Sequence, residues 1–467
     1  MSQVRIERDT MGEMQVPAEA LYGASTQRAV ENFPISGYRM PRPLLRALGL
    51  IKLAAAEANR KLGLLEPHLA GAIQRAAREV ISGRLDEHFP VDVFQTGSGT
   101  STNMNVNEVI ANRAARLLGE SAGSRAVHPN DHVNMGQSSN DVFPSAIHIA
   151  AVETLHGQLM PALHRLGQAL REKAAETDDV VKIARTHLQD ATPIRLGQVI
   201  GGWAAQLSHA DRRVMQKVIT LRELPIGGTA VGTGLNTHPD FARLVCEIIN
   251  HETGEQFHEA PNHFEAQHAR DALVGASAVL RTVAVSLTKI ANDIRWMASG
   301  PRCGIGELRI PAVQPGSSIM PGKVNPVICE AVLQVCCQVV GNDAAIAWAG
   351  GMLGSFELHT GMPVMAHNLL ESVRLLSNAA DVLREKCVTG LEADRQRCGE
   401  LIERSLAMCT SLTPVIGYDA AAELAREAYR SGRTVREVAR ERIAAGKLPI
   451  DEKQLSELLD PRRMTGP

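Results

Sequence analysis

The stretch NHFEAQHARDALVGASAVLRTVAVSLTKIANDIRWMA, Asn262–Ala298, sets Leu273, Leu280, Val283, Leu287, Ile290, Ile294 and Met297 in one register. Their intervals are mostly alternating threes and fours, the spacing of a coiled-coil-like seam on an α-helix. Working outward, the pattern recurs. Long helical patterns cover Val142–Glu176, Leu196–Leu221, Pro326–Ala349 and Met365–Val388, the last with Leu369, Val373, Leu376, Ala380 and Leu383 in line. Cys329–Trp348 is apolar nearly all round, so it is predicted to be buried on most sides. A five-helix bundle of one chain has no need of such a helix, whereas an oligomeric core does.

Toward the N-terminus, shorter helical patterns cover Pro41–Leu62, Pro67–Ser82 and Asn103–Leu118, after an opening segment of turns and short elements. Beyond Ala393 the chain is more charged and its helices are short. The strand signal is weak throughout. The expected fold class is all-α: a long central helix bundle flanked by smaller N- and C-terminal helical domains. The expected division is 1–139 (mixed/helical, with binding segments), 140–392 (five-helix bundle) and 393–467 (small helical domain).

Composition agrees. At 467 residues the chain exceeds one ordinary domain, and 44% hydrophobic residues supply ample core. Aromatics are only 3%, so the core is Leu, Val, Ile, Ala and Met, which favours helix-on-helix packing. A net charge of −2 gives no footprint for nucleic acid or an anionic membrane. No uninterrupted apolar run reaches the ~18 residues of a membrane span. Eight Cys lack disulfide or metal spacing, which suits a reducing compartment. The polar, mixed-charge start of the chain resembles neither a signal nor a transit peptide, so a cytoplasmic protein is expected. Rossmann and P-loop glycine spacings are absent and no metal-like cluster is found, so no cofactor and no metal are expected.

Chemistry concentrates in polar stretches at helix ends. Gln314-Pro315-Gly316-Ser317-Ser318-Ile319-Met320-Pro321-Gly322-Lys323-Val324-Asn325-Pro326 joins two apolar helices. Two hydroxyls, an ammonium and an amide there precede a helix whose N-terminal donors favour an anion, with Pro326 fitting the first helical position. Thr96–Asn103 contains Ser98, Gly99 and Thr100 in a hydroxyl-rich turn opening a helix. Gln137–Asp141 sets Ser138, Ser139 and Asn140 before the next one. Each stretch alone serves as an N-cap more often than as a site. Arg125, His128, Pro129, Asn130 and Asp131 form a polar turn able to bind an anion. Thr186 and His187 lie in Arg185–Asp190, where a lone His is more often structural. Together, neutral donors with a few cations suit a small dicarboxylate.

The stretch Gly316–Asn325 resembles the signature loop of the fumarase/aspartase superfamily, Gly-Ser-x-x-Met-x-x-Lys-x-Asn, and matches it throughout. The other four stretches match the superfamily in order and spacing, and the resemblance covers nearly the whole chain. His187 and Ser98 stand where aspartases typically carry Gln and Ala, which favours class II fumarases. The likeness extends to Gly227–Asn236. One departure is Met135-Gly136, where many fumarases read Lys-Ser, and altered affinity is expected from it.

The resemblance implies reversible hydration of fumarate to (S)-malate, a step of the tricarboxylic acid cycle, without metal. It assigns Ser317 as the base for the C3 proton. His187, partnered by Glu330, handles the water or hydroxyl. Ser98, Gly99, Thr100, Ser138, Ser139, Asn140, Thr186, Ser318, Lys323, Val324 and Asn325 hold the substrate. Arg125, His128, Pro129, Asn130 and Asp131 align with a second anion site. A homotetramer with active sites shared between subunits is implied. The rival readings are an ammonia-lyase acting on aspartate, which shares the base loop, and a catalytically silent scaffold, against which Ser317, His187, Lys323 and Glu330 argue.

Overall fold

The computed structural model describes residues 3–466. The chain opens with a hairpin, β1 (Val4–Asp9) and β2 (Gly12–Pro17), paired in register from Val4↔Pro17 to Asp9↔Gly12. There follow α1 (Ala24–Asn32), α2 (Arg42–Lys61), α3 (Pro67–Ile81) and α4 (Thr100–Leu117). Next, α5 (Ser139–Thr154) runs through one π turn, Leu155–Leu159, into α6 (Met160–Glu176). A second hairpin, β3 (Val181–Thr186) and β4 (Gln189–Arg195), leads to α7 (Leu196–Thr220). After α8 (Phe241–Thr253) and the short α9 (His263–His268) come α10 (Asp271–Met297), α11 (Val327–Met352) and α12 (Met362–Leu383). The chain ends in α13 (Arg395–Arg404), α14 (Thr413–Ile416), α15 (Tyr418–Ser431), α16 (Val435–Ala444) and α17 (Glu452–Leu458). With only short strands among the described residues, the fold is all-α.

Local chemistry sets the helix boundaries. Capping boxes start α5 (Ser138 with Asp141), α16 (Thr434 with Glu437) and α17 (Asp451 with Gln454). Left-handed Gly254 and Gly432 end α8 and α15.

Two compact units emerge: Met1–Pro161, Asp211–Ala284 and Cys336–Ser377, and Ala162–Ala210, Val285–Val335 and Asn378–Pro467. In the first, α2 lies against α3, α5 and α8, and α4 against α1 and α3. Leu44, Leu48, Ile51, Ile73, Ile110 and Ile147 are fully buried there. The same unit ties α10, α11 and α12 by polar contacts. Ser277 Oγ donates to Asp343 Oδ1 at 2.7 Å, and Asn342 Nδ2 donates to Ser372 Oγ at 3.1 Å. In the second unit Trp203 Nε1 donates to Asp293 Oδ2 at 3.3 Å, and Arg165 makes a two-pronged pair with Asp381. Its C-terminal part closes around Leu412, Leu424, Val438 and Leu455.

The seam that opens the sequence reading is buried throughout, from Leu273 to Met297, and so is the α12 series. Helix α11 differs. Within one chain it buries a stripe, Cys329, Val332, Cys336, Val339, Ile346 and Ala349, while Val340 is 44% and Trp348 71% exposed. Helices α10 and α11 have the length and mean hydropathy of membrane-crossing helices. Each nevertheless buries an internal seam, and α10 sets Arg281 and Lys289 on its open side, as core helices do.

Several expectations shift. The opening segment and residues 181–195 form hairpins, and two helices appear that the sequence reading left out: the short α1, and α8, whose Phe241, Leu244, Val245, Ile248 and Ile249 do carry a helical period. The 262–298 pattern breaks at Ala269, which is extended and ends α9. Pro326 lies one residue outside α11: its carbonyl accepts the N–H of Glu330 at 3.0 Å, the role of an N-cap.

Candidate active site

In the first unit the starts of α4 and α5 meet. Ser98 Oγ lies 2.8 Å from Thr100 Oγ1, which lies 2.7 Å from Ser139 Oγ, so three hydroxyls form one hydrogen-bonded row. Two glycines permit close packing here, Gly97 against Thr360 and Gly99 against α5. A Cβ on Gly97 would lie 1.9 Å from the carbonyl oxygen of Thr360, and one on Gly99 2.3 Å from the ring of Phe143. Gly99 also has φ 74°, in the left-handed region that glycine favours. Gly99 offers α4 no capping side chain, though Gln95 Oε1 accepts the N–H of Thr102 at 2.9 Å, while Ser138 caps α5. Two positive helix ends therefore flank a row of neutral hydroxyls, a setting for a carboxylate.

Asn140 Nδ2 donates to the carbonyl of Ala230 at 2.8 Å, tying α5 to the 227–236 loop. Asp141, completely buried, accepts three backbone N–H groups: Ser138 at 2.9 Å, Gly227 at 2.9 Å and Thr229 at 3.0 Å. Burial pushes its pKa up to about 6 against those hydrogen bonds. Lys52 of α2 is buried beneath the same segment and donates to Asn134 Oδ1 and Gln137 Oε1, each at 2.9 Å. Sequence reasoning passed over Lys52; its signal is a single Lys inside the apolar run Leu48–Ala56.

The polar turn lies in this unit too. Arg125, His128, Pro129 and Asn130 line a cavity of about 700 Å³ together with Glu7, Asp9 and Glu108. Asp131 is not among the lining residues; its N–H donates to His128 Nδ1 at 3.1 Å. Arg125 Nη2 donates to the carbonyl of Arg8 at 2.6 Å. The acidic lining is largely neutralised: Arg5 pairs with Glu7 and Arg28 with Asp9, and burial raises the pKa of Glu108.

The second unit holds the remaining residues. His187 and Leu188 form the two-residue turn of the β3–β4 hairpin, with φ 55° and 61°. Both central residues take the left-handed conformation that such turns demand, and neither is glycine. Strain of about 1–3 kcal/mol per residue is stored there, a feature of functional positions. The hairpin is clamped below its turn. Glu307, with no exposed side-chain area, accepts Arg185 Nη1 at 3.0 Å and lies 3.1 Å from Lys182 Nζ. Sequence reading missed Glu307 because its partners lie more than a hundred residues away.

In the 314–326 loop the N–H groups of Ile319 and Met320 donate to Ser317 Oγ at 3.2 and 3.0 Å. Asn325 Nδ2 donates to the carbonyl of Gly316 at 2.6 Å and closes the loop. Gly316 allows this closure, since a Cβ there would lie 2.0 Å from the Lys323 carbonyl oxygen. Ser318, Lys323 and Val324 are exposed, as are Thr186 and His187. Glu330 is half-buried in the first turn of α11. Among the described residues no hydrogen bond joins it to His187 within the chain. The 98–140 residues and the 186–330 residues thus belong to different units.

Against known proteins, a family model described as Lyase matches residues 12–341, and one described as Fumarase C C-terminus matches residues 408–466. The class II fumarate hydratase of Halobacterium salinarum is 56% identical, over 99% of this chain and 97% of that protein. That of Nitrosomonas europaea is 53% identical over 100% of both chains. The mitochondrial fumarate hydratase of Rhizopus oryzae is 54% identical over 97% of this chain and 91% of that protein. Among solved structures, a class II fumarase from Schistosoma mansoni superposes with a TM-score of 0.95 at 38% identity, covering 99% of each chain. A cobalt-bound fumarate lyase:delta crystallin from Brucella melitensis gives 0.95 at 46% identity, covering 100% of each.

Proposed function

This chain belongs to the class II fumarases of the fumarase/aspartase superfamily, and on that premise we propose that it hydrates fumarate reversibly to (S)-malate with Ser317 and His187 as its proton-handling residues. The observation that carries the residue assignment is the convergence of two backbone N–H groups on Ser317 Oγ. A serine hydroxyl is a poor base unless its alkoxide is stabilised, and two N–H donors aimed at it from within the same Gly-containing loop supply that stabilisation. In the dehydration direction Ser317 takes the C3 proton of malate. The developing charge spreads onto the neighbouring carboxylate, held by Lys323 and Asn325. His187, on its strained turn, protonates the departing hydroxyl through a water molecule, and Glu330 orients it. The row Ser98–Thr100–Ser139, with Gly99, Ser138 and Asn140, receives the other carboxylate; Thr186, Ser318 and Val324 complete the enclosure.

The functional protein in this reading is a homotetramer with each active site built from more than one subunit. The open apolar face of α11 supports this, and among the described residues no hydrogen bond joins His187 to Glu330 within one chain. The turn at Arg125, His128, Pro129, Asn130 and Asp131 is read as an accessory anion site outside the proton transfers. We retain the functional division at 139/140 and 392/393, and a cytoplasmic location; the Rhizopus relative is named mitochondrial.

The test is ultraviolet absorbance of fumarate formation with L-malate and L-aspartate offered in parallel. Product from malate alone is expected; product from aspartate alone would overturn the hydratase reading in favour of an ammonia-lyase. Ser317→Ala and His187→Asn are each expected to lower kcat by at least ~10²-fold while leaving the folded tetramer intact. Near-normal turnover in either would remove that residue from the mechanism.

A further inference from the structure

Lys52 is completely buried, unusual for a lysine. Among the described residues its ammonium donates hydrogen bonds to neutral acceptors, Asn134 Oδ1 and Gln137 Oε1. Gln137 is turned for this purpose: its Nε2 donates to the carbonyls of Val133 and Met135, at 3.1 and 3.2 Å, which leaves Oε1 to Lys52. Asn134 Oδ1 also receives Asn103 Nδ2 at 3.3 Å and Asn107 Nδ2 at 3.2 Å from α4. The ammonium is thus wired to both helix starts that bear the hydroxyl row. Gln137 directly precedes Ser138, Ser139 and Asn140, and Asn103 follows Thr100 by one turn.

A buried cation whose hydrogen bonds go only to neutral dipoles is costly even with the charge of Asp141 near it, and the cost falls further when another anion arrives nearby. We infer that Lys52 is a positioning and charge-balancing residue for the dicarboxylate, and that binding of the dianion at the hydroxyl row draws a proton onto the Lys52 amine. The inference rests on the reading of Ser98, Thr100 and Ser139 as a carboxylate site. The proton comes from solvent and no other bond changes.

Burial lowers the Lys52 pKa to about 7, opposed by the charge of Asp141. Other charged groups on the elements packed against α2 are engaged elsewhere. Glu153 of α5 binds Arg46, Glu79 of α3 binds Arg113, and Glu252 of α8 binds Arg78. Glu108 of α4 binds the 23–26 backbone, and His132 accepts the N–H of His128. His148 of α5, pushed down to about 4, is neutral in the range concerned. At pH 8 a free amine of this pKa is about nine-tenths deprotonated, so a dianion that favours the ammonium takes up close to one proton.

The experiment is calorimetric titration of succinate, an unreactive saturated dicarboxylate, into the full-length protein at pH 8 in phosphate and in Tris, whose ionisation enthalpies differ. Uptake of between about half and one proton is expected for the wild type, with KM for fumarate rising as pH goes from 7 to 8.5. In Lys52→Met the uptake vanishes and KM rises about tenfold at pH 6.5, with a smaller change in kcat. Lys52→Gln, which keeps a donor for Asn134 and Gln137 without the charge, is expected to behave like Lys52→Met. Wild-type KM and pH profile in Lys52→Gln would overturn the inference, as would an active wild type that binds without proton uptake. A wild type that neither interconverts fumarate and malate nor binds succinate would sink the proposed function as well.

Discussion

Substitution of Gly99 by Ala tests whether the two helix starts are held at their observed separation by the missing side chain. A Cβ at this position would lie 2.3, 2.4 and 2.5 Å from Cδ2, Cγ and Cε2 of Phe143. Ordinary carbon–carbon contact is about 3.5–4.0 Å, so the shortfall is about 1.2–1.7 Å. Phe143 is fully buried one turn into α5, and close-packed interiors leave a ring little room to shift. The relief open to the structure is retreat of α5 from α4. Retreat of that size stretches the 2.7 Å link between Thr100 and Ser139 to about 4 Å, beyond hydrogen-bonding range. The left-handed conformation costs alanine about 1–2 kcal/mol, and overpacking adds about 1–3 kcal/mol. The sum is about 2–5 kcal/mol. Two assays read it: the urea unfolding midpoint at fixed protomer concentration, and KM for fumarate. The midpoint should fall, and KM should rise by up to ~10²-fold, the effect of a 1 Å misplacement. Gly157→Ala is the contrasting control: nothing lies within 4 Å of its Cβ and it sits inside a helix, so it should raise stability by up to about 1 kcal/mol and leave KM unchanged. A Gly99→Ala protein with wild-type midpoint and KM would refute the argument that close approach forms the site.

Two more outcomes follow from the second unit and from α11. Glu307→Ala leaves Lys182, already depressed in pKa by burial, without its carboxylate, and is expected to cost about 3–5 kcal/mol. It should also speed hydrogen exchange across 181–195 and lower kcat, because the His187 turn loses its clamp; unchanged exchange would show that the triad does not hold the hairpin. Trp348→Asp sets a charge on the open α11 face, and light scattering should report species smaller than a tetramer; a tetramer of wild-type stability would remove that face from the subunit contacts.

Much of the fold is legible without coordinates because helical periodicity is a local property. The run from Leu273 to Met297 declares one buried face at a period no strand could satisfy, and the observed burial follows it residue by residue. Capping chemistry is local too, so Ser138 and Asp141 place the start of α5. The hairpins were not legible as strands. β3 and β4 are short, and His187-Leu188 is not one of the glycine-containing pairs that announce a two-residue turn.

Local sequence was enough for the class of the fold, the family and the polar stretches at the helix ends, since each is written in residues near one another in the chain. Tertiary structure alone decided that Thr100 and Ser139 share a hydrogen bond, that Lys52 lies under them with Asn134 and Gln137, and that Glu307 grips the hairpin of His187. The reason is physical. Periodicity tells a helix which face to bury but does not name the partner it will bury it against. A hydrogen bond between residues 39 apart, or an ion pair between residues 122 apart, exists only once packing has chosen that partner.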